Sequence, residues 1–429
     1  MQLAAITHLL NRAGFGPRSG QVELVSKIGV DKYIDQRLHP EQIDDRAVQA
    51  RLATIPSITM STSEILSKYA RPKRNLIGAE PPRKLLEELA AQKIIRAVHS
   101  ERQLQEEMTD FWFNHFNIFW EKGADRWLTT NFEMNAIRPN ALGKFKDLLM
   151  ATAKSPAMLF YLDNFLSSSP DARLPNNPKA KRQPGINENY AREVMELHTL
   201  GVDGGYTQQD VQEVARAFTG WSIDAPRRGG EFIFRSRIHD DGRKMVLGHE
   251  IDAGGIKDGE MVIEILAKHP STARFIATKL VRRFVSDDPP ESLVKRVAAV
   301  FMSTGGEIRD MLRTIFTSPE FYSPEATGAK TKSPFELAAS AIRALNGSTD
   351  GSPQLAQMIG RMGQPLYQYQ LPTGFPDRAD QWMSSGSVVE RLNFAVALSS
   401  NKIPGTTVSV DEPAKSIAMM LGSPEFQKR

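Results

Sequence analysis

Apolar residues three and four positions apart recur along almost the whole chain, and this spacing commits most of it to helices. "PPRKLLEELAAQKIIRAVHS" (81–100), "PNALGKFKDLLMATAKS" (139–155), "TQQDVQEVARAFTGW" (207–221), "TARFIATKLVRRFV" (272–285), "ESLVKRVAAVFMST" (291–304) and "EIRDMLRTIFTS" (307–318) each carry such a stripe. In water a stripe of this kind is stable only when it is buried against a neighbour. Ser333-Pro334-Phe335-Glu336 supplies a start signal, with Ser as cap and Pro at the first helical position. One region departs from the pattern. "EFIFRSRIHDDGRKMVLG" (231–248) alternates on both sides of Asp241-Gly242, which predicts a hairpin with its turn there. The expected fold class is therefore mainly α, an irregular multi-helix globular fold with a small β-hairpin insertion around 231–248.

The chain reads as one domain of 429 residues. A sub-division is also open: an N-terminal helical part (1–165) and a C-terminal helical part with the hairpin (185–429). The loop at 164–187, "NFLSSSPDARLPNNPKAKRQPGIN", would join them. Loops of this length inside compact folds are commonly functional, and this one is read as a lid.

Composition removes several chemistries. The chain has no cysteine, which excludes disulfides, thiolate nucleophiles, iron–sulfur clusters and Cys-ligated zinc. The net charge of +4 comes with short basic clusters, "ARPKRN" (70–75), "KAKRQ" (179–183) and "KLVRRF" (279–284). They read as solvated surface, so nucleic acid is not an expected partner. No apolar run reaches the roughly 18 residues of a transmembrane span. The N-terminus has no basic leader, which by itself points to the cytoplasm. Phosphate-loop, dinucleotide, nucleophile-elbow and His-Glu-x-x-His motifs are all missing, and neither a cofactor nor a metal is expected.

Two stretches concentrate chemistry. In "PGINENYAREVMELHTLG" (184–201), Asn187 is the expected N-cap of a helix to Leu200. Glu188, Arg192 and Glu196 then fall at i, i+4 and i+8, which is also what a plain salt-bridge ladder requires. Asn189 and Glu193 share the adjacent face. Glu193-x-x-Glu196 has the carboxylate spacing of di-metal bundles, with Glu107-x-x-Asp110 as its partner on offer. His198 faces away from both glutamates and reads as a packed histidine. In "DFWFNHFNIFW" (110–120), Trp112, Phe113, Phe116 and Trp120 make a helix that is apolar nearly all round. Asn114 and His115 are then polar groups in an apolar place, and each must find a carbonyl or a substrate. Trp221 follows the helix-ending Gly220. His239, Asp240 and Lys244 of "HDDGRK" join the candidates if that loop faces a cleft.

"LLNRAGFGP", "MTDFWFNHF", "NENYAREVMELHTLG", "YTQQDVQEVARAFTGW", "HDDGRKMVLG", "SPFELAASAIRAL" and "LGSPEF" follow one another here as in a large bacterial family. The chain resembles that family, the domain of unknown function numbered eighteen hundred, from about residue 6 to 427. The resemblance implies a mostly helical protein, often exported to the periplasm or beyond, with a sulfatase-like protein as genetic neighbour. The family commonly has Trp-His-Asn-His-Phe on its aromatic helix. Here Phe113 replaces the first histidine, which removes a two-histidine metal site.

Three readings of function remain. In the first, the chain is a hydrolase-type enzyme acting on a polar polymer such as a glycan. Its acid and base come from Glu188, Glu193 and Glu196, with Arg192, Asn114 and His115 around them, and such hydrolysis needs two carboxyl groups about 5 to 9.5 Å apart. Trp112, Asn189, Tyr206, Trp221, His239, Asp240 and Lys244 would bind the substrate. In the second, the chain is a non-catalytic helical scaffold that docks the sulfatase-like partner. In the third, it holds a carboxylate-bridged metal.

Overall fold

The computed structural model describes residues 3–69, 80–172, 185–224, 230–252, 254–409 and 412–429. Its described residues form twenty α-helices and three two-stranded antiparallel sheets. The fold is mainly α, as the periodicity requires. The basic clusters at 70–75 and 179–183, and residues 173–184 of the loop read as a lid, lie outside the described residues.

The centre of the molecule is the pair of helices Pro82–His99 and Gln103–His115. The second is buried along nearly its whole length, from Leu104 through Trp112 and Phe113 to His115. One continuous apolar cluster surrounds them and runs from Ile6 to Leu421. The capping expected at Ser333 forms: its hydroxyl accepts from Glu336 N at 3.3 Å, and Glu336 returns a bond to Ser333 N at 2.8 Å. Thr207 and Asp210 make the same box before Gln208–Ala217.

The predicted hairpin is corrected. Glu231–Phe234 pairs backwards with Trp221–Asp224, and Lys244–Val246 pairs forwards with His249–Ile251. Asp241-Gly242 therefore joins two hairpins and turns neither. The reason lies in Asp240, whose carboxylate receives two 3.0 Å bonds from Arg216 while its N–H donates to Thr219. These bonds tie the loop to the Gln208–Ala217 helix.

The helix of the 184–201 motif also differs from expectation. It begins at Asn189, with Asn187 Oδ1 accepting from Asn189 N, and it widens into a π-helix over Glu196–Leu200. A second π segment occupies Phe132–Ile137. Such widened turns shift side chains around the axis and collect at functional sites. No helix among the described residues is long and apolar enough to cross a membrane.

Residues 367–376 have no regular structure and run as a strap past the end of the Gln103–His115 helix. Side-chain amides hold it. Asn117 Nδ2 donates to the carbonyls of Tyr369 and Leu371 (3.0 and 2.8 Å). Asn114 binds Phe375 twice, Nδ2 to its O at 2.8 Å and Oδ1 from its N at 2.7 Å. Tyr161 Oη donates to the Gln370 carbonyl at 2.6 Å. Gly374 has φ +70, and a Cβ there would run into the Asn114 carbonyl. Gly374→Ala is accordingly expected to cost about 1–3 kcal/mol, read as a lower denaturant midpoint. A variant as stable as the wild type would mean the strap has slack.

Candidate functional site

Polar groups converge around a partly enclosed cavity of about 290 Å³ beneath the strap. Several elements build its walls, Pro82–His99 among them through Lys93. Gln103–His115 brings Asp110, Phe113, Asn114 and His115, and Pro270–Phe284 brings Lys279, Arg282 and Arg283. The capped start of Pro334–Ala344 brings Ser333 and Glu336, and the strap with its extension brings Tyr367, Thr373, Phe375 and Asp377. On their helix Lys279, Arg282 and Arg283 lie at i, i+3 and i+4, so one face carries all three.

One wall is an ion-pair network with its charges matched. Arg283 reaches Glu107 at 2.8 Å and Glu336 at 2.7 Å, and Arg429 reaches the same two carboxylates at 2.9 and 3.0 Å. Burial alone would raise the Glu336 carboxyl, but the two guanidinium groups hold it below the usual carboxylate value. Lys93 pairs with Asp110 at 2.9 Å. It also faces Glu133, which accepts from Gln92 (2.6 Å) and Tyr367 Oη (2.7 Å). Burial opposes the Glu133 charge, yet Lys93 and Arg138 keep its pKa below the usual value.

Another part of the lining has unspent capacity. Lys279 makes no hydrogen bond or ion pair with any described residue. Its ammonium lies 5.6 Å from the Phe275 ring centroid. Burial, reinforced by Arg282 and only partly opposed by Asp377, lowers its pKa to about 8. His115 Nε2 sits 3.1 Å from the His198 carbonyl oxygen. A carbonyl only accepts, so Nε2 carries the proton. Burial, with Lys279 and His198 nearby, puts the ring pKa well below 6.5, so the ring is neutral. Nδ1 is then a buried lone pair with no partner.

The motif residues separate into groups. Asn114 and His115 border the cavity. Asn189 and Glu193 lie across the strap in a shallower cleft of about 440 Å³, with Lys122, Tyr161 and Gln370. Glu188 is engaged by Arg192 (3.4 Å) and Gln208 (2.8 Å). Glu196, turned by the π segment, accepts from Tyr206 Oη at 2.9 Å instead of pairing with Arg192. The expected ladder therefore has one rung. Burial and the neighbouring Glu196 raise the pKa of Glu193, with Arg192 opposing.

Several candidate binding residues are corrected. Trp112 and Trp221 have no exposed surface, so neither offers a stacking face: Trp112 Nε1 donates to the Ala141 carbonyl, and Trp221 packs edge-on against Phe218 and Phe232. His239 and Lys244 are buried on Asp258 at 3.1 and 2.6 Å, out of reach of a substrate. Asp240 is taken up by Arg216. His198 packs beneath His115 and Phe116, as its position on the helix suggested. Among the described residues no three of His, Asp and Glu converge at a spacing that could hold a metal ion.

Reading the sequence missed Lys279, Arg282 and Arg283, which it took for solvated surface. Their i, i+3, i+4 spacing inside an apolar helix was the available signal. The strap carried none, beyond a run of Pro, Gly and aromatic residues.

The buried histidines predict acid sensitivity. Burial first, then nearby arginines, lower His8 to about 4, and burial with Lys279 lowers His198 to about 3. A depressed histidine pKa contributes stability that is present above the unfolded value near 6.5 and drains away as pH falls towards the folded value. Unfolding free energy is expected to drop between pH 6.5 and 4 by up to about 1.4 kcal/mol per pH unit for each such ring. Urea titrations at pH 7.5, 6 and 5 check this, and a flat profile would contradict it.

No curated protein and no solved structure matches the chain. The family described as "Protein of unknown function (DUF1800)" matches it over residues 8–428, essentially its full length. The order of motifs from "LLNRAGFGP" to "LGSPEF" thus has its explanation: the chain belongs to the DUF1800 family.

Proposed function

We propose that the protein is an enzyme that takes a polar, anionic group into the cavity beneath the strap, such as an acidic end or side group of a glycan. The observation carrying this reading is Lys279, an ammonium with no counter-ion among the described residues, set in a partly enclosed space whose carboxylates already have partners. A desolvated cation in that state is stabilised by an incoming anion. Asn114 and Asn117 support the site by fixing the strap. Phe113, Phe375 and Trp382 add apolar surface. A two-carboxylate hydrolysis by Glu188, Glu193 and Glu196 has less support, because Glu188 and Glu196 are bound to other side chains and Glu193 faces a different cleft.

A thermal-stability series tests the reading. Sulfate and glucuronate should raise the melting temperature beyond a chloride control of equal ionic strength, and uncharged glucose should not. Equal behaviour of all three against the control would remove the anion site.

A second reading, an accessory scaffold, draws on one separate feature. Val389, Leu392 and Val396 on the Ser385–Ser399 helix, with Met419 and Met420 beside them, are exposed apolar residues of the sort that mark contact surfaces.

A further inference from the structure

The cavity wall that holds Lys279 has a chemistry that anion binding alone does not use. A lysine on a protein surface is protonated, hydrated and inert. Lys279 is partly buried, it has no carboxylate within ion-pair distance among the described residues, and Arg282 stands one turn along the same helix face. Loss of water and a neighbouring cation both favour the neutral amine, and these two conditions turn a lysine into a nucleophile. His115 borders the same cavity, with its buried Nδ1 unprotonated and without a partner among the described residues.

We propose that Lys279 is an amine nucleophile that captures a carbonyl group, and that the substrate class of this cavity is a carbonyl compound bearing an acidic group. This rests on the proposed reading of the cavity as an anion site, with Arg282 as the cation left to hold the acid once the amine has reacted. The step balances without any further reactant. The Nζ lone pair adds to the carbonyl carbon while the π pair moves to oxygen, which takes a proton. The nitrogen sheds a proton to solvent water at the mouth of the cavity. Water then leaves, and a C=N bond joins Lys279 to the substrate carbon. An imine of this kind withdraws electrons from the adjacent carbon, the property needed to break a bond there.

The amine is neutral far more often than a surface lysine, because burial lowers its pKa to about 8 against roughly 10.4 for an exposed one. Its capture of a carbonyl at pH 7 should therefore outpace that of exposed lysines, on the order of tenfold after allowing for the weaker nucleophile.

The full-length protein is treated with glyoxylate and cyanoborohydride at pH 7, and carboxymethyl-lysine is mapped by peptide mass spectrometry. The expected result is modification at Lys279 ahead of every other lysine, slowed by sulfate and missing from Lys279→Arg, which keeps the charge but forms no imine. Modification spread over surface lysines with Lys279 untouched would overturn the inference. Sulfate stabilisation in the same preparation separates the two ideas. If sulfate stabilises the wild type and Lys279 stays unmodified, the nucleophile is wrong and the anion site stands. If neither effect appears, both fail.

Discussion

Arg283→Met is expected to lower the unfolding free energy by about 3–5 kcal/mol, one of the two largest effects in the molecule. The guanidinium group donates from Nε to Glu107 at 2.9 Å and lies 2.7–3.5 Å from carboxylate oxygens of Glu107, Glu336 and Asp110. Its removal leaves Glu107 and Glu336, both buried, to share Arg429. A buried carboxylate without its cation takes up a proton or distorts its surroundings, so the loss should shrink at low pH. Adding Glu336→Gln to the variant should recover part of the stability, because the second change removes the charge that the first left unpaired. Chemical denaturation at pH 7.5 with an unchanged m-value is the check. A loss below about 1 kcal/mol would mean that the network is solvated and has little energetic weight.

The second large effect belongs to the strap. Asn114→Ala removes both bonds to Phe375 and leaves a backbone N–H and a carbonyl without partners, at a cost of about 2–3 kcal/mol. It should also abolish stabilisation by sulfate and glucuronate, because Thr373, Phe375 and Asp377 form one wall of the cavity. Cleavage by a protease near residues 370–376 should become faster than in the wild type. Asn117→Ala loses the bonds to Tyr369 and Leu371 and should loosen the strap in the same direction. If Asn114→Ala binds anions normally, the strap is only an element of stability.

The helical scaffold was legible because its signal is local. The stripe of "EIRDMLRTIFTS" and the cap at Ser333 each depend on residues within a turn or two. The strap was not legible for the opposite reason: Asn114 and Asn117 act on backbone more than 250 positions away. Nothing in the immediate sequence of either segment records that partnership. The sequence did mark Asn114 and His115 as polar groups in an apolar helix that must find partners, and one found the strap backbone while the other found the His198 carbonyl. It misread Lys279, Arg282 and Arg283 because a basic cluster is ordinarily solvated, and only tertiary packing buries Arg283 and brings Lys279 and Arg282 to the cavity lining. It over-read the glutamates because the ladder assumed 3.6 residues per turn through Glu196, where the helix widens. The hairpin error has a similar cause. Asp241-Gly242 has the right local chemistry for a tight turn, but Arg216, from another element, fixes the loop first.

The central claim, that the functional centre is the cavity around Lys279 and not the cleft of Glu193, is tested most directly by calorimetric titration of glucuronate. Wild type, Glu193→Gln and Lys279→Met would be titrated under the same conditions. The account predicts binding to wild type and Glu193→Gln with similar affinity, and loss of at least tenfold in Lys279→Met, with all three folded by circular dichroism. Undiminished binding to Lys279→Met together with lost binding to Glu193→Gln would contradict it and return the site to the helix carboxylates.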